Sequence, residues 1–260
     1  MEKFELPLCA LSSNCLANQV ILITGASSGI GRTLAFHAAK HGATTILLGK
    51  SVKKLESLFD EIVQAGYPEP AIHPLNLLRT EPAQANELAM SIHKLFGRLD
   101  AVVHNAGTFG RITPLEHLAP DKWQEVIQLN LNIPYLLTHS LLPLLKNTPF
   151  SSILFTVAEE AFQPKAYWSA YSASKSGVLA LAKSLHEELE ENTTIRVNCI
   201  HPGIVRTASR LLAYPGIAPA CFVAPEAIIE HYIYLLSPQA QTLRGKCITL
   251  ENTHLTSFLK

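Results

Sequence analysis

Seven short apolar runs alternate with longer amphipathic stretches along the 260-residue chain. The runs are rich in Val, Ile and Leu and show little polar alternation, which is typical of strands covered on both faces. The stretches between them have helical character, and several end at a glycine, a helix-stop signal. This order predicts an α/β fold with a parallel, doubly wound sheet of seven strands and helices on both faces. The predicted strands span residues 20–24, 44–48, 71–77, 100–105, 151–157, 194–200 and 246–251.

No linker, internal repeat or low-complexity segment interrupts this alternation, so residues 1–260 are predicted to form one domain. The charge is balanced, with 21 basic and 21 acidic residues, which argues against a nucleic-acid binder. No apolar run reaches roughly 18 residues, and the first residues lack the pattern of a signal peptide. We therefore expect a cytoplasmic chain that neither spans a membrane nor binds nucleic acid.

The cysteines and histidines predict neither a metal site nor disulfides. His37 and His41 have i, i+4 spacing on a predicted helix, but no third ligand is apparent, so we interpret them as a surface pair. The cysteines are odd in number and widely spread, and no two have CxxC spacing, which favours reduced thiols. They are Cys9, Cys15, Cys199, Cys221 and Cys247.

A glycine cluster, TGASSGIG, follows the first apolar run directly. Glycines at such a turn let the backbone bend sharply and let a diphosphate approach the start of the next helix without a Cβ in the way. The context fits, because a strand ends at Thr24 and an amphipathic helix starts near Ile30. The alternative is an ordinary tight turn between a strand and a helix. The residues predicted to cradle a dinucleotide here are Gly25, Ser27, Ser28, Gly29, Ile30 and Gly31.

The end of the second predicted strand bears on the choice of cofactor. An acidic residue there would bind the ribose 2′-hydroxyl and favour NAD(H). The sequence instead reads LLGKS, in which Gly49 leaves room and Lys50 can meet a 2′-phosphate. The pattern favours NADP(H) over NAD(H), although Lys50 can also be read as a solvated lysine at the start of a helix.

Four motifs occur in order: TGASSGIG, HNAG at 104–107, YSASK at 171–175 and HPG at 201–203. On these motifs the chain resembles the short-chain dehydrogenase/reductase family from about residue 17 to residue 251. It is most similar to bacterial members of the oxoacyl-acyl-carrier-protein-reductase-like kind. The resemblance implies one Rossmann-type domain that binds NAD(P)(H), a homodimer or homotetramer, and a variable substrate lid, here residues 208–227.

The resemblance also implies the catalytic residues. Tyr171 would exchange a proton with the substrate oxygen, and Asn130 would hold a water of the proton relay. Lys175 would bond the nicotinamide ribose and lower the pKa of Tyr171, since a cation one helical turn away favours phenolate. The alternative for Tyr171 and Lys175 is an incidental pair on a surface helix.

Further cofactor contacts follow from the same resemblance. Asn76 and Leu77 would lie at the adenine, and three residues after the fourth strand would pass the adenosine side. The segment after HPG would border the nicotinamide, with the Ile204 backbone and the Thr207 hydroxyl reaching the carboxamide. The residues of these last two groups are Asn105, Ala106, Gly107, Pro202, Gly203, Ile204 and Thr207. The implied reaction is hydride transfer between a nicotinamide and a small carbonyl or alcohol substrate.

One family residue is missing. Members usually have a serine where this chain has Ala158, and the serine donates a hydrogen bond to the substrate oxygen. Loss of such a donor costs about 3 kcal/mol, or roughly a hundred- to thousandfold in rate. Thr156 or Glu159 could substitute, or the enzyme could be slow. Alternatively, the chain is a catalytically impaired member that binds NADP(H) as a sensor or partner. We expect Glu159 and Glu160 in a solvent-exposed loop.

Two other features leave alternatives open. The predicted lid is short and mostly apolar, which favours a modest hydrophobic substrate over a highly charged one. The helix that begins near Tyr171 carries an apolar stripe at spacings of 4, 3 and 4 residues, which fits either the core or a subunit interface. The stripe consists of Val178, Ala182, Leu185 and Leu189.

Overall fold

A computed structural model of the chain describes residues 3–4 and 11–250, and within these residues eight parallel strands form a single sheet. The seven predicted strands are all present. An additional two-residue strand lies at one edge and pairs with the last strand. The strands are β1 Lys3–Phe4, β2 Val20–Thr24, β3 Thr44–Gly49, β4 Ala71–Pro74, β5 Ala101–His104, β6 Ser152–Thr156, β7 Arg196–His201 and β8 Cys247–Thr249.

Helices connect the strands. They are α1 Gly29–Lys40, α2 Val52–Gln64, α3 Pro82–Phe96, α4 Pro120–Ile127, α5 Ile133–Lys146, α6 Ser169–Glu190, α7 Ala208–Ala213 and α8 Glu226–Leu236. A π turn at Gln128–Asn132 joins α4 to α5. Within residues 11–250, none of the helices combines the length and the apolar character that crossing a bilayer requires.

The strand order is β1-β8-β7-β6-β5-β2-β3-β4. The chain builds outward from β2 through β3 to β4, then returns to the other side of β2 and builds outward from β5. In β2, Leu22 pairs with Ile46 of β3 on one side and with Val102 of β5 on the other. An open α/β sheet binds ligands at such a switch point, at the carboxyl ends of the strands. The fold therefore places a crevice where β2 and β5 end.

Most predicted strand ends differ from the structure by one or two residues, and the largest difference is at β4. The third predicted strand was expected to reach residue 77, but β4 stops at Pro74 because Leu77–Arg79 form a 3₁₀ turn. The last predicted strand ends at Glu251, which lies outside the described residues, as does Cys9. The described cysteines are unpaired thiols.

The sheet is covered on both faces. One apolar cluster contains residues of α1 and α8, and the other contains residues of α3, α5 and α6. The stripe on α6 belongs to the second cluster, and its outermost member, Leu185, is only 9% exposed. The stripe is therefore core, so it gives no separate support for a subunit interface.

Candidate active site

The glycine turn after β2 packs against the segment that follows β5. Gly25 has φ +71°, a left-handed conformation that favours glycine. A Cβ on Gly25 would lie 3.1 Å from the Cα of Ala106. A Cβ on Gly31 would lie 2.5 Å from the Gly25 carbonyl oxygen and 2.7 Å from Nδ2 of Asn105. A side chain at Gly31 is therefore excluded, because the start of α1 packs directly against the glycine turn that precedes it.

Thr24, the last residue of β2, links the glycine turn to the segment after β5 through hydrogen bonds. Its hydroxyl accepts hydrogen bonds from the backbone N–H groups of Asn105 at 2.9 Å and Ala106 at 3.0 Å. The same hydroxyl donates to the Val103 oxygen at 3.1 Å. Sequence reasoning assigned Thr24 no role beyond ending a strand. The available signal was a polar residue that closes the aliphatic run VILIT immediately before the glycine turn.

A cavity of about 620 Å³ lies at the crevice. It runs from Lys50 and Asn76, beyond β3 and β4, to Tyr171 on α6, and it includes Ala158. The predicted cofactor residues that line it are Gly25, Ser27, Ser28, Gly29, Ile30, Lys50, Asn76, Leu77, Asn105, Ala106, Gly107, Tyr171, Lys175, Pro202, Gly203 and Thr207. The structure therefore brings together side chains that are more than a hundred residues apart in sequence.

Three predicted site residues do not line the cavity. Gly31 is buried behind the turn. Ile204 uses its carbonyl oxygen to accept a hydrogen bond from the Val223 N–H at 3.3 Å. Asn130 is buried at 1% exposure, behind the loop that follows β5.

The residues present fit an elongated dinucleotide. The N-terminus of α1 opens onto the cavity through Gly29 and Ile30, so unpaired backbone N–H groups and the positive end of the helix dipole are available to a diphosphate. A Cβ on Gly29 would lie 3.1 Å from a methyl carbon of Thr207, so a side chain there would narrow the passage. Lys50 is exposed at the far end, where it can meet a further anionic group.

Tyr171 and Lys175 lie on α6 and are both buried, at 6% and 5% exposure. The Lys175 Nζ atom is 5.8 Å from the centre of the Tyr171 ring and donates a hydrogen bond to the Thr156 backbone oxygen at 2.8 Å. Burial lowers the pKa of Lys175 to about 8. The alternative of an incidental surface pair is thereby wrong.

Burial dominates the electrostatics of Tyr171. It raises the pKa of the Tyr171 phenol well above its ordinary value, and the cation that opposes this rise is Arg210. The net shift is therefore upward, where a lowered pKa was expected. The Lys175 ammonium donates to the Thr156 oxygen, and its own effect on the pKa of Tyr171 stays a prediction.

Asn130 sits in the π turn, an irregularity often found at functional sites. Its Oδ1 accepts from the Thr108 N–H at 2.8 Å, and its Nδ2 donates to the Thr108 oxygen at 2.8 Å and to the Ser174 hydroxyl at 3.0 Å. Ser174 in turn donates to the Tyr171 carbonyl at 2.7 Å. Both amide hydrogens are used, so the side chain fixes the loop after β5 to α6. The predicted hold on a water stays a prediction.

Each candidate substitute for the missing serine already has a hydrogen-bond partner in this arrangement. The Thr156 hydroxyl forms a hydrogen bond of 3.3 Å with the Tyr232 hydroxyl. A Glu159 carboxylate oxygen accepts from Lys165 at 2.6 Å, and Glu159 does not line the cavity. Glu160 was expected in an exposed loop but is only 2% exposed, because the chain turns inward after β6.

An aromatic cluster surrounds Tyr171, and sequence reasoning missed it. The Phe109 ring lies 4.8 Å from the Tyr171 ring, edge to face, and the Trp168 ring lies 5.6 Å from it. Trp168 also stacks on Tyr214 at 5.8 Å. Phe109 follows β5 and lines the cavity, Trp168 immediately precedes α6, and Tyr214 follows α7, so flat apolar rings pack around Tyr171 at this end of the cavity.

Known proteins share both the sequence pattern and the fold of this chain. Residues 19–212 match the family model described as short chain dehydrogenase. Oxidoreductase YciK of Escherichia coli is 37% identical over 230 residues, which cover 88% of this chain and 90% of that protein.

Two solved structures are similar over nearly the whole chain. A short chain dehydrogenase from Pseudomonas syringae has 39% identity and a TM-score of 0.91, covering 95% of this chain and 99% of that one. A short chain dehydrogenase from Escherichia coli in complex with NADPH has 36% identity and a TM-score of 0.89, covering 92% and 99% of the two chains.

Proposed function

The chain belongs to the short-chain dehydrogenase family, and we propose that it is an NADP(H)-dependent oxidoreductase that interconverts a carbonyl and the matching alcohol. The observation that carries the proposal is the meeting of Tyr171 and Lys175 with the glycine turn in one cavity. Relatives named as oxidoreductases and dehydrogenases support an NAD(P)-dependent enzyme.

The choice of NADP(H) rests on two observations. Lys50 lines the end of the cavity beyond β3, where an acidic residue would favour NAD(H). Similar structures were solved in complex with NADP and with NADPH. In the proposed arrangement the glycine turn holds the diphosphate, Asn76 and Leu77 lie at the adenine, and Lys175 bonds the nicotinamide ribose.

When bound, the nicotinamide supplies or accepts the hydride. For carbonyl reduction, Tyr171 would donate its hydroxyl proton to the substrate oxygen while the carbonyl carbon received the hydride, which would yield the alcohol and the oxidised cofactor. Burial keeps the phenol protonated, and the positive charge of Arg210 opposes the rise in its pKa, which favours release of the proton. Asn130 and Ser174 position Tyr171 by tying α6 to the loop after β5.

A binding protein without turnover is the alternative that Ala158 raises, and no comparison supports it. Ala158 lines the cavity and offers no hydrogen bond to a substrate oxygen. We therefore propose an active enzyme whose barrier is higher than it would be with a serine at this position.

The test is NADPH oxidation with a panel of ketones, aldehydes and quinones. We expect turnover by the natural chain and a loss of roughly a hundredfold or more in kcat for Tyr171→Phe, the contribution typical of a general acid. NADPH binding should survive this substitution. Tyr167→Phe, at a tyrosine that is 59% exposed, is the matched control and should keep full activity. Equal activity in Tyr171→Phe and Tyr167→Phe would contradict the assigned role.

A further inference from the structure

Arg210 is a buried cation at the reactive end of the cavity. It is the third residue of α7, lines the cavity and is only 8% exposed. Its guanidinium carbon lies 4.7 Å from the centre of the Phe109 ring and 5.6 Å from that of Tyr214. The Arg210 backbone N–H donates to the Thr207 hydroxyl at 3.2 Å, which caps the start of α7.

This guanidinium has no counter-charge in the structure. Among residues 11–250 the Arg210 guanidinium forms neither an ion pair nor a hydrogen bond, and it lies against two aromatic rings. The buried acid nearby, Glu160, is paired with Lys165 at 3.7 Å. A buried charge without a partner is costly, and a guanidinium offers five donors in a fixed fork. The arrangement is thus prepared for an anion that the chain does not supply.

The position of Arg210 points to the substrate end of the cavity. Its charge acts on Tyr171 and Lys175, lowering the pKa of each. Its two aromatic partners belong to the cluster that contains Tyr171. The glycine turn and Lys50, which would hold the cofactor phosphates, line other parts of the same cavity.

We propose that the substrate carries a carboxylate beside a flat apolar body, and that Arg210 binds this carboxylate while Phe109, which lines the cavity, contacts the body. This inference rests on the proposed oxidoreductase function and names its substrate class. Guanidinium and carboxylate match in bidentate geometry, and the pair is strongest where water is excluded. The flat apolar body agrees with the hydrophobic substrate expected from the predicted lid. A substrate without the carboxylate would leave the Arg210 guanidinium without a charged partner.

The first test compares matched carbonyl compounds on the natural chain. The pairs are 4-formylbenzoate with its methyl ester and phenylglyoxylate with its methyl ester, each with NADPH. A charge-assisted hydrogen bond predicts that kcat/KM for the acid exceeds that for the ester by about tenfold or more in at least one pair. Esters that react as well as the acids in both pairs would overturn the inference.

The second test changes Arg210. Arg210→Met keeps an unbranched side chain without charge and should abolish the preference for acids, whereas Arg210→Lys should retain part of it. Arg206→Met is the matched control, since Arg206 lies four residues earlier, is exposed and does not line the cavity. The control should keep the preference in full. Circular dichroism and NADPH affinity show whether each variant is folded.

A binding measurement covers the case in which neither pair is reduced. Calorimetric titration of benzoate and benzamide into the complex with NADP⁺ should show binding of benzoate by the natural chain and by Arg206→Met. Arg210→Met should bind benzoate about tenfold more weakly or not at all. Equal binding of benzoate and benzamide by the natural chain would overturn the inference.

The outcomes separate this inference from the function on which it rests. If the natural chain binds NADPH and reduces neutral carbonyls without preferring acids, the substrate class is wrong and the oxidoreductase function stands. If it binds no NADPH, both fail. If Arg210→Met loses NADPH affinity and Arg206→Met does not, Arg210 serves the cofactor phosphates and the proposed role is overturned.

Discussion

The Lys175 ammonium lies 2.8 Å from the Thr156 backbone oxygen, so the helix that carries the Tyr171 phenol is tied to the end of β6. This contact uses one of the three ammonium donors and leaves two for the ribose hydroxyls of a bound cofactor. The burial that makes the contact strong also lowers the pKa of Lys175 to about 8. Lys175 is therefore expected to lose its proton at a pH near 8.

NADPH affinity should fall as the pH rises through 8. A lysine whose pKa is lowered by burial loses its proton at a lower pH than usual, and the neutral amine attracts the cofactor less. We expect a loss of about tenfold in affinity between pH 7 and pH 9.5, as proton linkage at one site allows. Fluorescence titration measures it. Lys175→Met should bind NADPH weakly with no step near pH 8, and an identical step in this variant would contradict the assignment.

Ala158→Ser should raise kcat by about tenfold to a hundredfold, because it restores a donor to the substrate oxygen. Ala158 lines the cavity, whereas the Thr156 hydroxyl is bonded to Tyr232 and the Glu159 carboxylate to Lys165. Steady-state kinetics should show the gain in kcat more than in KM. Ala173→Ser, on the exposed face of α6, is the control and should change neither constant. An unchanged or lower kcat for Ala158→Ser would mean that another group already donates this bond.

Lys50→Asp should lower the preference for NADPH over NADH by about tenfold or more, since it replaces a cation near a 2′-phosphate with a group that accepts from a 2′-hydroxyl. Lys53→Asp makes the same change of charge at an exposed position outside the cavity. Dissociation constants for both cofactors provide the measurement. Equal effects of the two substitutions would show that Lys50 acts only through net charge.

Asn130→Ala should lower the free energy of unfolding by about 2–4 kcal/mol, because it removes several buried hydrogen bonds and leaves the Thr108 backbone unpaired. Asn132→Ala is the matched control in the same π turn, since Asn132 is exposed and bonds only to Gln128. Urea denaturation compares the two. Similar losses for both variants would show that the network around Asn130 adds little stability.

Local sequence patterns were sufficient to predict the strands, the glycine turn and the helix that position the candidate site. The turn at Gly25 and the i, i+4 pair on α6 depend on residues close together in sequence, and parallel strands bring their ends to one edge of the sheet. The predicted strands and the positions of most cofactor residues in one cavity follow from these rules. Thr24 escaped notice because its role depends on bonds to residues about 80 positions later.

The surroundings of Tyr171 could not be predicted, because they depend on how distant segments pack. Phe109, Trp168 and Tyr214 meet only in three dimensions, and a sequence gives no sign that Arg210 is buried among them. The same packing explains why the pKa of the phenol is raised rather than lowered. Helical spacing places Tyr171 and Lys175 on one face of α6, but it does not indicate how far burial shifts the pKa of each residue.

Equilibrium titration of the purified chain with NADPH and with NADH tests the central claim most directly. We predict saturable binding of NADPH with a dissociation constant on the order of micromolar, equivalent to about −8 kcal/mol, and weaker binding of NADH. Absence of binding by both cofactors up to about 1 mM, equivalent to about −4 kcal/mol, would contradict the account.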